Sequence, residues 1–95
     1  MQDLLAALAD PTRRSALRIL WDGNEHCVCE LMALLEVSQS RMSRHMKALK
    51  LAGLVLDRRD AQWVRYRRNP GLTAAHVDVI DAIFRAEPVQ QRTAA

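Results

Sequence analysis

Apolar positions along this chain fall into four short helical stretches, switch to alternation, and then return to a helical period. Leu4, Leu5 and Leu8 recur at helical spacing and predict a first helix over 2–9. Asp10-Pro11 is a helix start, with Asp as the N-cap and Pro at the first helical position. The second helix then runs over 11–22 with Leu17, Leu20 and Trp21 inward, and Asp22-Gly23-Asn24 stops it. A third helix over 27–35 turns Leu31, Leu34 and Leu35 inward. Ser38 is the N-cap of a fourth helix reaching Ala52, and Gly53 ends it at the C′ position. Beyond Gly53 the period becomes two: Leu54 and Leu56, and later Val64 and Tyr66, alternate with their neighbours. The polar stretch 58–62 between them is a turn, so this segment reads as a β-hairpin. Asn69-Pro70-Gly71 breaks the hairpin. A last helix over 72–86 places Leu72, Val79, Ile80, Ile83 and Phe84 on its apolar face.

The order α-α-α-α-β-β-α predicts a mainly α fold with a β-hairpin wing, that is, a winged helix-turn-helix. The 95 residues make one domain, 1–87, followed by a flexible C-terminal tail, 88–95. A core this small leaves apolar surface on the first and last helices unused, which predicts a homodimer formed through those two helices. No apolar run approaches the roughly 20 residues that span a bilayer. The N-terminal stretch lacks the basic region of a signal peptide. Both observations point to a cytoplasmic protein that has no membrane partner and whose two cysteines stay reduced.

Charge sharpens the picture through its distribution. The formal net charge is only +3, yet residues 38–70 hold nine Lys/Arg against Asp57 and Asp60. A chain with so basic a middle suits a polyanion, most simply double-stranded DNA. On the fourth helix Met42, Met46 and Leu49 share the inward face, and Ser40, Arg41, Arg44 and Lys47 share the outward one. Hydroxyl and guanidinium groups suit phosphates and base edges. Ser38, Gln39 and Ser40 lie at the helix N-terminus, where recognition helices meet bases. The candidate DNA-binding set on this helix is Ser38, Gln39, Ser40, Arg41, Ser43, Arg44, His45 and Lys47. His45 lies at the border of the inward face, where a phosphate bond and a structural role are equally open. On the hairpin, Arg58, Arg59, Gln62 and Arg65 would reach the DNA backbone or minor groove, or else protect a sheet edge by charge. Trp63 and Tyr66 read as core.

Cys27-Val28-Cys29 does not have C-x-x-C spacing, so zinc-ribbon and thioredoxin readings fail. Residues i and i+2 lie about 200° apart on a helix. Both thiolates would therefore reach one ion only where the backbone leaves the helix, which costs least in the first turn. Chelation there would distort the start of the helix-turn-helix. All-thiolate ligation selects soft species. Cadmium, lead or zinc wants about four ligands, whereas a trivalent metalloid is satisfied by two thiols and one water, hydroxide or small thiol. Met32 would be a weak neighbour, and protonated His26 would raise the thiolate fraction of Cys27. On spacing alone, inert packing stays open, and so does thiol redox or persulfide sensing, although an i, i+2 disulfide would be strained. No nucleophile–base constellation or phosphate loop marks an enzyme.

These residues form a pattern. Ala6-Ala7-Leu8-Ala9-Asp10-Pro11-Thr12-Arg13, Cys27-Val28-Cys29-Glu30-Leu31, Val37-Ser38-Gln39-Ser40, Ser43-Arg44-His45-Met46-Lys47-Ala48-Leu49, Ala52-Gly53-Leu54-Val55 and the stretch 58–66 follow one another in the order of the ArsR/SmtB winged-helix metal-sensing repressors. The chain to about residue 86 resembles that family. The resemblance implies a homodimeric repressor that binds an imperfect palindrome and loses DNA affinity when an inducer binds. Cys-Val-Cys is similar to the element of the arsenic-responsive branch. That similarity implies Cys27 and Cys29 as ligands, As(III) or Sb(III) as inducer, and no catalytic cofactor. The chain departs from that branch at His26, commonly Leu, at Glu30, often Asp, and at Met32, a third cysteine in some members. The cadmium/lead branch adds N-terminal cysteines that are missing here. The zinc branch uses Asp/His ligands on the last helix; His76, Asp78 and Asp81 lack a second histidine near that helix's end, so no zinc site is carried over.

Overall fold

Asp10 is extended, and its Oδ1 accepts the backbone N–H of Thr12 at 2.8 Å and of Arg13 at 3.1 Å. Helix α2 (Pro11–Leu20) therefore starts where the Asp-Pro pair predicts, after a short α1 (Gln2–Ala7). The structure is a computed structural model and describes residues 1–88; of the predicted tail, 89–95 lie outside the described residues. Partial burial opposes ionisation of Asp10. The bonds from Arg13 and Thr12, with the charges of His45 and Arg13, outweigh it and hold the carboxyl below its ordinary range. A lowered folded pKa contributes stability above the unfolded value and loses it as pH falls through the folded one. Asp10→Ala is therefore expected to cost about 1 kcal/mol at neutral pH. Chemical denaturation from pH 7 down to acid should show the difference between wild type and variant shrinking.

Helices α3 (Val28–Leu35) and α4 (Gln39–Leu51) form the helix-turn-helix, joined through Glu36, which is left-handed at φ 54°. Ser38 Oγ caps α4 by accepting from Arg41 N–H at 3.4 Å. At the other end Gly53, at φ 78°, lets Leu54 N–H reach Leu49 O and its own N–H reach Lys50 O. This double bond is the glycine-dependent Schellman stop that the sequence predicts. Leu17, Leu20, Leu31, Met42, Met46, Leu49, Leu54, Val55 and Ile80 form the fully buried centre. The inward triad of α4 is thus as predicted.

The sheet differs from expectation in three ways. It has a third strand, β1 (His26–Cys27), and the strand order is β1-β3-β2, all antiparallel. Cys27 is therefore extended and lies outside the helix predicted from 27. Strands β2 (Val55–Asp60) and β3 (Trp63–Arg68) run on to a two-residue turn, 61–62, with Ala61 at φ 55°, in place of the five-residue tip. Finally, Leu54 belongs to the α4 stop, so Val55, not Leu56, points into the core, and Leu56 is exposed. The same parity leaves Trp63 37% exposed, against the expectation that it is core. Leu34, predicted inward on α3, is also exposed.

Helix α5 (Ala74–Ala86) begins two residues later than predicted, capped by Thr73. It is fastened to α2 by Arg14, which donates to both Glu87 carboxylate oxygens at 2.8 and 2.9 Å, and by Arg18, which donates to the carbonyls of Phe84 and Glu87. Trp21 Nε1 donates to Asp81 at 2.6 Å, and its ring meets Phe84 edge-on. On α5 only Ile80 is fully buried; Val77, Val79, Ile83 and Phe84 are half-buried. The exposed large apolar residues on or beside the helices are Met1, which caps α1, Leu5 on α1, Leu34 on α3 and Leu51 on α4. Among the described residues no helix is long and apolar enough to cross a membrane.

Candidate nucleic-acid interface and thiol site

Burying Met42, Met46 and Leu49 turns the opposite face of α4 to solvent. Ser38, Gln39, Ser40, Arg41, Ser43, Arg44 and Lys47 are all exposed there. His45 stands apart from them: it is half-buried and faces Asp10 at 3.9 Å, on the side where α4 meets the start of α2. Of its two open roles, this placement favours the structural one.

Strand alternation divides the wing residues. Register pairs Arg58 with Arg65 and Arg59 with Val64, so Arg58 and Arg65 share one face and Arg59 takes the other. Asp57 shares Arg59's face and accepts from Lys50 of α4 at 3.0 Å. Arg59 therefore projects on the α4 side. The Arg58 guanidinium is held by Glu25, through two bonds of 2.8 Å, and Arg65 is held by Asp60 at 2.8 Å. Glu25 and Asp60 lie below the ordinary carboxylate range because those arginines bond to them. Gln62 is exposed in the turn. Glu25 escapes sequence reasoning because its meaning depends on β1. Once Cys27 is extended, residue 25 lies two positions earlier on the same side of the strand.

Cys27 caps α3: its Sγ accepts the N–H of Cys29 at 3.4 Å. Cys27 is buried and Cys29 is exposed, and both are free thiols. Because Cys27 precedes the helix, the 200° separation of a regular helix does not apply to the pair. Cys29 lies one step inside α3, and its thiol is pushed up first by its hydrogen bond with Cys27, then by burial and by the charge of Cys27. His26 is engaged by carboxylates at both ring nitrogens. Its Nδ1 meets Glu30 and its Nε2 meets Asp22, each at 2.8 Å. Burial lowers the His26 pKa, and the bonds to Glu30 and Asp22 outweigh it, so the net shift is upward. Alternation along β1 puts His26 in register with Tyr66 and Cys27 in register with Arg65. The row Cys27, Arg65, Arg58 thus crosses all three strands. Among the described residues, no group of three or more His, Cys, Asp or Glu is gathered as a metal ion would need.

Residues 10–56 match the family described as bacterial regulatory protein, arsR family. The chain is 47% identical over 84 residues to the arsenic resistance transcriptional regulator ArsR2 of Pseudomonas putida, covering 88% of this chain and 73% of that one. It is 40% identical over 84 residues to the arsenical resistance operon repressor of Escherichia coli K12, covering 88% and 72%. The chain belongs to the ArsR family. Among solved structures, reduced HlyU from Vibrio cholerae superposes with a TM-score of 0.76 at 36% identity, covering 92% of this chain and 87% of that one. As an ArsR-family winged helix-turn-helix, the chain is a transcriptional repressor. The matched segment contains both cysteines and all of α4, and it ends at Leu56, short of β3.

Proposed function

We propose that this ArsR-family repressor binds palindromic operator DNA as a homodimer and is released when As(III) or Sb(III) binds the Cys27 and Cys29 thiolates. The observation that supports it best is the backbone at Cys27. An extended residue just before a helix lets two sulfurs at i and i+2 lie near one another, which a continuous helix forbids. Two thiols and no third clustered donor suit a trivalent metalloid better than a four-coordinate ion. Each thiol displaces one hydroxyl group from arsenous acid. Two As–S bonds replace two As–O bonds, each thiol proton leaves in a water, and no electrons are transferred.

Release follows if capture alters the start of α3, because α3 leads through Glu36 into α4. The dimer buries the exposed Met1, Leu5 and Leu51, with α1 and the alanine-rich outer side of α5 (Ala74, Ala75, Ala82) as its walls. A cytoplasmic location keeps both thiols reduced.

The test is a competition titration. Duplexes selected from a randomised library by the purified protein are labelled, and anisotropy is followed as arsenite, antimonite, cadmium or zinc is added. Release by arsenite and antimonite at concentrations where zinc has no effect supports the reading. Equal release by zinc sinks the metalloid assignment. Release by mild oxidant, with no arsenite effect, would replace it with a thiol redox sensor. Dimer formation is checked by sedimentation: Leu5→Glu should shift the protein toward monomer, and an unchanged dimer would move the interface elsewhere.

A further inference from the structure

We propose that the wing is a direct output of the thiol site, with β1 and the Glu25–Arg58 pair as the connection. This rests on Cys27 and Cys29 being the inducer ligands. Cys27 has three duties at once. It is a candidate ligand, it caps α3 through its sulfur, and it is one of the two residues of β1. A ligand that takes both sulfurs removes the cap bond from Cys29 N–H. It also requires the buried Cys27 side chain and the exposed Cys29 side chain to meet on one atom. Both adjustments act at Cys27, the residue where β1 ends and α3 begins.

That backbone is also paired with β3. Strand β1 consists of two residues, His26 opposite Tyr66 and Cys27 opposite Arg65. So short an edge strand holds few ladder bonds and separates at low cost. Immediately before it, Glu25 holds the Arg58 guanidinium through two bonds of 2.8 Å. Arg58 sits beside Arg65 in the register. Movement of β1 therefore reaches two wing arginines, one through the strand pairing and one through the ion pair. The pair is exposed, so its value is positional more than stabilising. The alternative route, along α3 and through Glu36 to α4, runs the length of a helix. The route to the wing is a single strand pairing.

On this account the ligand-free wing is three-stranded with Arg58 and Arg65 placed. The loaded chain has a two-stranded wing, with Arg58 freed from Glu25 and Arg65 left to Asp60 alone.

The test uses the full chain with and without sodium arsenite, in the absence of DNA. Arsenite binding is counted by native mass spectrometry, and hydrogen exchange is followed in the peptide spanning Arg65 and Tyr66. Exchange there is expected to quicken about tenfold on arsenite binding. In a second arm, Glu25→Gln binds arsenite with wild-type stoichiometry, yet the arsenite-induced loss of affinity for the selected duplex shrinks by about threefold or more. Bound arsenite with unchanged exchange in β3, or with wild-type coupling in Glu25→Gln, overturns the wing route in favour of α3–α4 alone. No arsenite bound by mass overturns the ligand assignment and this proposal with it.

Discussion

With both Cys27 and Cys29 replaced by serine, the protein is expected to bind its selected duplex as wild type does and to ignore arsenite. Serine keeps the size and the capping ability of Cys27. Its hydroxyl can still accept from the N–H of residue 29, so α3 should start in the same place. What is lost is the soft sulfur donor set. In wild type, couplings of this kind weaken the second ligand's affinity by about 5- to 150-fold. The double variant should reduce that to no change within error. Each single variant should lose most of the response, because one thiolate offers no chelation. The two singles should nonetheless differ in stability. Cys27 is buried and paired in a strand, whereas Cys29 is exposed at the first turn. Cys27→Ser therefore costs more on denaturation. Because the Cys29 thiol is pushed up, it stays protonated through the neutral range, and since each thiol proton leaves in a water, arsenite affinity should change little with pH there. A double variant still released by arsenite would place the sensor elsewhere in the chain.

Arg44→Ala combined with Lys47→Ala is expected to produce the largest loss in DNA binding. Both side chains lie on the exposed face of α4 and carry no ion pair among the described residues, so their charge is fully available to DNA. Each phosphate contact removed lowers the slope of log K against log salt by about 0.9. In a two-fold dimer every substitution counts twice. If Arg44 reads a guanine edge, its loss costs a further ~1–3 kcal/mol per half-site and relaxes preference at that base pair. Arg58→Ala makes a useful contrast. Its charge is partly neutralised by the paired Glu25, so its net contribution, and the change in slope, should be smaller. Titrating the duplex at several salt concentrations measures all three slopes. A full-length slope in the Arg44/Lys47 variant would remove α4 from the interface.

Much of this arrangement is legible in the residues. Asp10-Pro11, Ser38 and Gly53 mark helix ends by local chemistry, and local chemistry is what a sequence carries. Met42, Met46 and Leu49 identify the inward face of α4 because a helix of this length repeats its period enough times to be read. The departures have a common cause. Strand β1 is two residues long, too short to show any period, and exists only because β3 lies beside it. The side of the hairpin that faces inward depends on whether Leu54 is counted with the strand or with the stop of α4. A backbone bond to Leu49 decides that, and no hydropathy pattern does. The two-residue turn lacks an Asn-Gly or Asp-Gly pair and puts Ala61 in the left-handed region, so its length could not be read. Glu25, which holds Arg58 from 33 positions away, is a non-local partner of the same kind.

Strand β1 also bears on how such a sensor could be reused. Residues 25–35 contain both thiols and look like a self-contained cassette. Yet the extended backbone at Cys27 is paired with a strand nearly forty residues further along. Moved alone into another helix-turn-helix, the segment would bring the thiols without the strand on which their movement acts. The smallest transferable unit runs from the end of α2 to the end of β3, and an engineered repressor that keeps its own hairpin would need that hairpin to offer β1 an open edge.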